Sequence, residues 1–279
     1  MTKTWFITGA SSGLGLDMTT RLLARGDRVL GTARNTAALA DIQRKYSDAL
    51  IVKKLELTDA VAIRTTMDEA FATLGTIDVI VSNAGYGLFG AAEELTDTQI
   101  EHQIATNLTG SIHLIRAALP HLRRQEGGRF IQVSSEGGQI SYPNFSAYHA
   151  TKWGIEGFVE AVAQEVAPFG IDFILAEPGP TATNFGAALV RAEPMSVYDD
   201  TPAGAVRRAI SDGNFVLKGD AGRTVAAIIE AADSDKPALR LPLGSTAYDS
   251  ISNALHQRLT ALEAQRDVAF SADRVDQAS

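Results

Sequence analysis

Short apolar segments typical of strands alternate with segments typical of helices, at intervals of about 25 to 40 residues, along most of the chain. Several strand-like segments, such as Val79-Ile80-Val81, are apolar at every position instead of at every second one. That pattern is expected of strands covered on both faces, as in a parallel sheet with helices packed on each side. The sequence therefore predicts an α/β fold, a doubly wound parallel β-sheet flanked by helices on both faces.

The boundaries of the predicted elements follow from apolar periodicity, capping residues and breakers. Strands are predicted at 3–8, 28–33, 49–57, 77–85, 128–135, 170–179 and 238–244. Helices are predicted at 13–26, 36–47, 60–74, 96–125 with a break at Pro120, 146–168, 220–232 and 246–268. Because no repeat, low-complexity tract or linker divides the chain, one domain spanning 1–279 is expected.

The second half of the chain contains one irregular segment and one long final helix. Residues 180–218 hold three prolines, among them Pro202, and predict an irregular substrate-loop region at 184–218. The final helix, 246–268, carries four apolar residues on one stripe, which predicts that it docks on the core, with a subunit interface as the alternative. These residues are Ile251, Leu255, Leu259 and Leu262.

Charge and composition exclude several classes of function. The net charge is −8, and no basic cluster is longer than Arg123-Arg124 or Arg207-Arg208, which argues against nucleic acid as a partner. The absence of cysteine excludes disulfides and thiol catalysis, and the five histidines show no metal-ligand spacing. The chain enters its first predicted strand at once and has no run long enough for a membrane span. We therefore expect a soluble, cytoplasmic protein without a metal site.

A glycine-rich turn follows the first predicted strand directly. The residues Thr8 to Gly15 have the spacing Thr-Gly-x-x-x-Gly-x-Gly, with glycine at positions 9, 13 and 15, and lead into a predicted helix. A helix N-terminus offers free N–H groups to a dinucleotide pyrophosphate, and glycines allow the backbone to approach it. A plain loop is the alternative for this motif taken alone.

Further motifs follow in order along the chain. "YHATK" places Tyr148 and Lys152 four residues apart, and Ser135 precedes Tyr148 by thirteen residues. "SNAG" (82–85), "NLTG" with Asn107, and "EPGPTAT" (177–183) complete the series. With these motifs, from residue 8 to 183, the chain resembles the classical short-chain dehydrogenase/reductase family. The resemblance implies a single-domain Rossmann-type fold, with a mainly dinucleotide-binding half at 1–135 and a catalytic and substrate half at 136–279.

The resemblance assigns catalytic roles to four residues. Tyr148 is the general acid for carbonyl reduction and the general base for alcohol oxidation. Lys152, which shares a helix face with Tyr148, lowers the pKa of the phenol and holds the nicotinamide ribose. Ser135 orients the substrate oxygen, and Asn107 helps a water connect the lysine to solvent. Each residue taken alone also has a structural interpretation, as surface decoration, loop start or polar helix position.

The end of the second strand bears on the choice of cofactor. An acid at this place usually binds the ribose 2′-hydroxyl of NAD, whereas this chain has Ala33 followed by Arg34. An arginine pairs well with a 2′-phosphate, so NADP(H) is favoured over NAD(H), and a solvated loop arginine is the alternative. Glu56 and Leu57 stand where the family often has Asp-Val beside the adenine. The residues expected to bind the cofactor are Gly9, Ser11, Ser12, Gly13, Leu14, Gly15, Arg34, Glu56, Leu57, Asn83, Ala84, Gly85, Tyr148, Lys152, Pro178, Gly179, Thr181 and Thr183.

The substrate is expected beyond the carboxyl ends of the strands, between segments 86–90, 136–145 and 184–218. Their apolar residues favour a fairly apolar ketone, aldehyde or secondary alcohol; they are Tyr86, Leu88, Phe89, Ile140, Tyr142, Phe145, Phe185, Leu189, Met195 and Tyr198. The predicted function is NADP(H)-dependent interconversion of a carbonyl compound and an alcohol. A non-catalytic NADP(H)-sensing or scaffold protein, and a dehydratase or epimerase without net redox, remain as alternatives. The resemblance also implies a homodimer or homotetramer, between which the sequence does not choose.

Overall fold

A computed structural model of the protein describes residues 2–183, 185–186, 188–214 and 216–274. Its central sheet has seven parallel strands, β1 (Thr4–Thr8), β2 (Arg28–Ala33), β3 (Leu50–Lys54), β4 (Val79–Ser82), β5 (Gly128–Val133), β6 (Ile171–Pro178) and β7 (Arg240–Leu243). They lie in the order β7-β6-β5-β4-β1-β2-β3. The helices are α1 (Gly13–Arg25), α2 (Ala40–Lys45), α3 (Ala60–Leu74), α4 (Asp97–Ile104), α5 (Gly110–Arg124), α6 (Ser146–Val166), α7 (Pro202–Ser211), α8 (Ala221–Asp233), α9 (Ser245–Glu263) and α10 (Arg266–Ser271).

Both faces of the sheet are covered, which explains the uninterrupted apolar strands. Successive side chains of a strand point to opposite faces, so Trp5 and Phe6 of β1 enter different cores. Phe6 packs in a core formed with α3, α5 and α6, whereas Trp5 packs in a second core formed with α1 and α8. The predicted doubly wound α/β fold is thereby confirmed.

The order of the strands reverses at β1, which lies between β2 and β4. After β1 the chain continues outward through β2 to β3, then returns to the other side of β1 for β4. In open parallel sheets this reversal leaves a crevice at the carboxyl ends of the two central strands, where ligands bind. The glycine-rich turn after β1 and the "SNAG" motif after β4 therefore meet in one place.

The predicted helix break at Pro120 is wrong, because α5 continues through this proline. Proline removes one helical N–H, which leaves the carbonyl of Arg116 without its usual partner. Both Pro120 and Arg116 lie on the exposed face of α5, where water satisfies that carbonyl at low cost. The helical geometry instead changes at Ala105–Thr109, a π-helical turn that joins α4 to α5.

The segment 180–218 is more regular than predicted. It contains α7 and two-residue strands at Thr181–Ala182 and Val190–Arg191. Pro202 does not break a helix but begins one, at the first helical position, where its missing N–H costs nothing. The Thr201 side chain caps the same end by accepting a hydrogen bond from the backbone N–H of Ala203. Residues Asn184, Ala187 and Phe215 of the predicted substrate-loop region lie outside the described residues.

The prediction that the apolar stripe of the last helix docks on the core is wrong for most of its length. Ile251 is buried, but Leu255, Leu259 and Leu262 are 48%, 53% and 65% exposed. The apolar stripe of α9 is therefore exposed beyond its first two turns, although Arg258 still lies against α6, with its guanidinium 5.0 Å from the centre of the Trp153 ring, and the helix ends at Glu263. None of the helices among the described residues is long and apolar enough to cross a membrane.

Candidate active site

A cavity of about 940 Å³ opens at the carboxyl ends of the central strands. Every predicted catalytic or cofactor-binding residue except Gly15 lines it. These residues are Gly9, Ser11, Ser12, Gly13, Leu14, Arg34, Glu56, Leu57, Asn83, Ala84, Gly85, Asn107, Ser135, Tyr148, Lys152, Pro178, Gly179, Thr181 and Thr183. The structure thus brings together groups that are up to 174 positions apart in the sequence, from Gly9 to Thr183.

The glycine-rich turn requires its glycines for different reasons. Gly9 and Gly13 have φ angles of +67° and +53°, in the left-handed region that favours glycine. Gly15 lies behind the turn, where a Cβ would come within 2.3 Å of the Gly9 carbonyl oxygen. The Asn83 amide holds the same turn from β4, because its Nδ2 donates to the carbonyl oxygens of Thr8 (3.0 Å) and Gly9 (3.3 Å). Gly15 and Asn83 therefore fix the conformation of the turn, Gly15 by leaving room for its backbone and Asn83 by hydrogen bonds to it.

The N-terminus of α1 fits the pyrophosphate of a dinucleotide. Ser11 to Leu14 line the cavity, and the side chain of Ser12, the residue that precedes α1, makes no capping hydrogen bond. The first-turn N–H groups of α1 are thus free of a side-chain cap, next to a backbone without Cβ atoms at Gly9 and Gly13. At the end of β2, Ala33 is buried and the exposed Arg34 lines the same cavity. The residues present therefore suit a dinucleotide, with a cation at its outer end.

Tyr148 and Lys152 lie side by side one turn apart at the start of α6, and both are buried. The Lys152 Nζ donates a hydrogen bond to the Val133 carbonyl oxygen at 2.9 Å, which fixes the lysine at the end of β5. The same Nζ lies 5.5 Å from the centre of the Tyr148 ring. The spacing of the "YHATK" motif therefore places the ammonium over the phenol, as a helical i, i+4 pair predicts.

Burial shifts the pKa values of both groups toward their neutral forms. It raises the pKa of the Tyr148 phenol to about 12, with the Ser135 hydroxyl acting in the opposite direction and the charges of Glu136 and Glu156 adding to the rise. It lowers the pKa of the Lys152 ammonium to about 8, against the opposing charge of Glu156. The phenol pKa is therefore raised and not lowered as the sequence predicts, because desolvation outweighs the hydrogen bond with Ser135.

Ser135 begins a short 3₁₀ turn, Glu136–Gly138, directly after β5. Its Oγ accepts a hydrogen bond from the Gly137 N–H at 3.1 Å, which orients the hydroxyl at the cavity wall. Two glycines in this turn allow α6 to approach closely. A Cβ on Gly137 would lie 2.7 Å from His149 Nδ1, and a Cβ on Gly138 only 1.7 Å from Glu156 Oε1.

Asn107 lies in the π-helical turn between α4 and α5 and is buried. Its Oδ1 accepts from the Tyr86 N–H at 3.1 Å, and its Nδ2 donates to the Tyr86 carbonyl oxygen at 2.8 Å. The side chain thus clamps the backbone just after the "SNAG" motif. Single π-helical turns of this kind are often found at functional sites.

A buried ionic network behind the catalytic pair was not predicted from the sequence. Arg240 on β7 donates to Glu156 (2.6 Å), to Glu177 (2.5 Å) and to the more exposed Glu160 (2.8 Å). Burial raises the pKa of Glu177 to about 7 and also raises that of Glu156, while Arg240 opposes both shifts. A charged residue in an apolar strand, such as Glu177 in "FILAEPG", was the available signal.

The substrate end of the cavity is only partly as predicted. Five of the ten expected wall residues line it, namely Tyr86, Tyr142, Phe145, Phe185 and Leu189, whereas Leu88, Phe89, Ile140, Met195 and Tyr198 do not. Ile210 of α7 and Leu217 add apolar surface that was not singled out. The cavity therefore has a predominantly apolar substrate end beside Ser135 and Tyr148.

The buried carboxylate of Glu94 fixes part of this wall. Its Oε1 accepts from the Met195 N–H at 2.8 Å and from Arg207 at 2.5 Å. Arg207 belongs to α7, so the acid ties the segment 190–211 to the body of the protein. Among the residues that the structure describes, no group of three or more His, Asp or Glu side chains is arranged to hold a metal ion.

Comparison with known proteins gives consistent results. The protein-family model described as short chain dehydrogenase matches residues 3–194. The oxidoreductase BOA17 of Botryotinia fuckeliana (strain B05.10) is 31% identical over 272 residues, which cover 97% of this chain and 99% of that protein. The crystal structure of a short-chain dehydrogenase from Streptomyces avermitilis superposes with a TM-score of 0.91 at 36% identity, covering 98% of this chain and 100% of that one.

A further solved structure resembles this chain in fold alone. It is a short chain dehydrogenase from Burkholderia cenocepacia J2315 in complex with NADP, with 22% identity and a TM-score of 0.74 over 95% of this chain and 97% of that one.

Proposed function

The chain belongs to the short-chain dehydrogenase family, and on this premise we propose that it is an NADP(H)-dependent oxidoreductase that interconverts a carbonyl compound and an alcohol. One observation carries the proposal. The buried Tyr148 phenol lies beside the Lys152 ammonium and the Ser135 hydroxyl, in a cavity that also contains the glycine-rich turn. A proton donor, a cation and an orienting hydroxyl are the groups that carbonyl reduction requires of a protein.

A bound nicotinamide supplies the hydride, and the side chains handle the substrate oxygen and its proton. Ser135 donates a hydrogen bond to the carbonyl oxygen and holds it next to the phenol. Tyr148, with a pKa of about 12, keeps its proton at neutral pH and transfers it to the oxygen as negative charge develops there. Lys152 stabilises the resulting phenolate electrostatically from one helical turn away. At neutral pH the phenol is thus in the protonated form that reduction of the carbonyl requires.

The preference for NADP(H) rests on the end of β2. Ala33 offers no acceptor for a ribose 2′-hydroxyl, and Arg34 offers a guanidinium for a 2′-phosphate. A charge-assisted hydrogen bond is worth about 1.5–3 kcal/mol, which corresponds to roughly 10- to 100-fold in affinity. That the B. cenocepacia protein of the same fold was crystallised with NADP supports a nicotinamide cofactor in general.

Titration of the purified protein with NADPH and NADH, followed by nicotinamide fluorescence, tests this preference. We expect tighter binding of NADPH, and loss of the difference in Arg34→Ala. Arg28→Ala is a matched control, because Arg28 is also exposed but lies at the opposite end of the same strand. Equal affinities for the two nucleotides in the unmodified protein would contradict the assignment of Arg34.

The activity itself is tested with a panel of apolar ketones, aldehydes and secondary alcohols. The apolar substrate end, with Tyr142, Phe145 and Leu189, predicts turnover of fairly apolar members of this panel. The measurement is NADPH consumption together with formation of the alcohol. A folded protein that binds NADPH but reduces no carbonyl compound would contradict the proposed reaction and favour a sensing role.

A further inference from the structure

Arg191 is an exposed arginine at the substrate end of the cavity, and the proposed reaction does not use it. It lines the cavity next to Leu189, and its side chain makes no ion pair or hydrogen bond within the part of the chain that the structure describes. Three cationic residues line the cavity among those described. Arg34 stands at the nucleotide end and Lys152 beside the phenol, so Arg191 is the cation without an assigned role.

The backbone on both sides of Arg191 is held in place. Val190–Arg191 pairs in parallel with the chain at Phe89, which lies directly opposite Arg191. The N–H of Val190 donates to the Gly87 carbonyl oxygen at 3.0 Å, and the N–H of Ala192 donates to that of Phe89 at 2.9 Å. The arginine is therefore built into the cavity wall, although its side chain reaches solvent.

The side chain of Arg191 lies on an aromatic wall that leads to the proposed proton donor. Its guanidinium carbon is 5.1 Å from the centre of the buried Phe89 ring. The Phe89 ring meets Phe145 edge-on at 5.1 Å, and Phe145 lies 6.0 Å from the Tyr148 ring. Because Arg191 is exposed and Tyr148 is buried, the cation stands at the opening of the cavity and the phenol at its inner end.

The acids near this opening are engaged with other groups. The buried Glu94 accepts from Arg207 and from the Met195 N–H, and the second ion pair of Arg207 is with Asp199. In a chain with a net charge of −8, Arg191 nevertheless has no acidic partner among the described residues. A guanidinium that is held in position and lacks an acid is suited to bind a carboxylate or a phosphate in bidentate fashion.

We propose that Arg191 binds an anionic group, a carboxylate or a phosphate monoester, at the far end of the substrate's apolar chain. The substrates are then anionic oxo compounds whose carbonyl, reduced beside Tyr148, is separated from the anion by that chain. This inference rests on the proposed function of the same site. The apolar stretch between the two polar ends corresponds to Phe145, Leu189 and Ile210, which line the cavity.

The first test compares octan-2-one with 7-oxooctanoate, in which a carboxylate replaces the far methyl group, and with shorter and longer homologues of this pair. For the unmodified protein we expect kcat/KM to be roughly 5- to 30-fold higher for the best oxo acid than for its matching ketone. The gain should lie in KM and not in kcat, because the anion binds away from the reacting carbon.

Variants of Arg191 show whether this residue causes the preference. Arg191→Gln should bring the ratio close to one by raising KM for the oxo acid, and Arg191→Lys, which keeps the charge without the planar fork, should leave an intermediate ratio. Arg64→Gln is the matched control, since Arg64 is also exposed but lies on α3 and does not line the cavity. Loss of activity on both substrates alike would mean that Arg191 only supports the wall, and would overturn the inference.

Two further substrates test the position and the kind of the anion. With 2-oxooctanoate, whose carboxylate adjoins the carbonyl, Arg191→Gln should change kcat/KM little. With 7-oxooctyl phosphate, a preference that depends on Arg191 and exceeds that for the oxo acid would identify phosphate as the bound anion. Either preference should fall as the ionic strength rises, because salt screens exposed charges.

Calorimetric titration with 7-hydroxyoctanoate and octan-2-ol separates the failure of this inference from that of the proposed function. We expect the hydroxy acid to lose roughly 5-fold or more in affinity in Arg191→Gln, and the alcohol to lose none. Equal kcat/KM ratios in the unmodified protein and Arg191→Gln for both anions, with the ketones reduced, would overturn the role of Arg191 and leave the proposed function intact. If no carbonyl compound is reduced, the proposed function fails, and hydroxy acid binding that Arg191→Gln does not weaken would then overturn the inference as well.

Discussion

Replacing Glu136 by glutamine should stabilise the protein at alkaline pH, and the structure gives the magnitude. The carboxyl ionises near its ordinary pKa of 4.5 in the unfolded chain, whereas burial raises its pKa to about 7 in the folded protein. The folded state therefore holds a proton that the unfolded state has already lost. Stability from this group is fully present below about pH 4.5 and is lost as the pH rises through about 7. At about 1.36 kcal/mol for each pH unit, the difference corresponds to about 3 kcal/mol.

Urea unfolding, followed by tryptophan fluorescence at several values between about pH 5 and pH 8.5, measures this effect. Relative to Glu136→Gln, the free energy of unfolding of the unmodified protein should fall by about 2.5 kcal/mol across this range, because part of the effect is already lost at pH 5. The difference between the two proteins is decisive, because Glu177, whose pKa burial also raises to about 7, adds a pH dependence common to both. Glu101→Gln, the same change on the exposed face of α4, should follow the unmodified protein. A constant gap between the unmodified protein and Glu136→Gln at all pH values would refute the reasoning, since the carboxyl would then be ionised and paired.

Two further substitutions probe the catalytic pair and the nucleotide turn. Burial lowers the pKa of Lys152 to about 8, and the negative charge of Glu156 limits this fall. Glu156→Gln removes that charge, so the pKa of Lys152 and the alkaline limb of the pH profile of kcat should move below about pH 8. Glu160→Gln, on the exposed side of the same helix, should leave the profile in place. Gly15→Ala places a Cβ 2.3 Å from a backbone oxygen and should weaken NADPH binding at least about 10-fold, whereas Gly157→Ala, with no atom within 4 Å, should not. An unmoved pH profile in Glu156→Gln would contradict the first expectation. An unchanged NADPH affinity of Gly15→Ala, measured by fluorescence titration, would contradict the second.

Local sequence patterns predicted the elements whose structure depends on nearby residues. The α/β fold followed from apolar strand segments buried on both faces, because each strand carries its own evidence of burial. The pairing of Tyr148 with Lys152 was predictable because the helical repeat alone sets their relation. The position of Arg34 beside the cavity followed in the same way from the end of a strand.

Predictions failed where tertiary context decides the outcome. Pro120 was tolerated because its face of α5 is exposed, and Pro202 began a helix because Thr201 caps it. The stripe that includes Leu255 has helical periodicity, but periodicity does not show whether a surface lies opposite to receive it.

The buried acids and their partners could not be predicted from local sequence patterns. Arg240 lies 84 positions after Glu156 and 63 after Glu177, so no spacing rule connects them. Glu136 is adjacent to Ser135 in the sequence, but the lack of a hydrogen-bond partner for its buried Oε2 among the described residues is visible only when the residues around it are placed. The catalytic residues could thus be predicted from the sequence motifs, whereas the buried charges that shift their pKa values could not.

The most direct test of the account compares the unmodified protein with Tyr148→Phe under two measurements on the same preparation, NADPH binding and reduction of a carbonyl substrate. The variant keeps the buried ring but removes the hydroxyl that donates the proton. We predict NADPH affinity within a few-fold of the unmodified protein and a kcat that is lower by roughly 10² to 10⁴. A Tyr148→Phe protein that reduces the substrate at nearly the original rate would contradict the assignment of Tyr148 and, with it, the proposed mechanism.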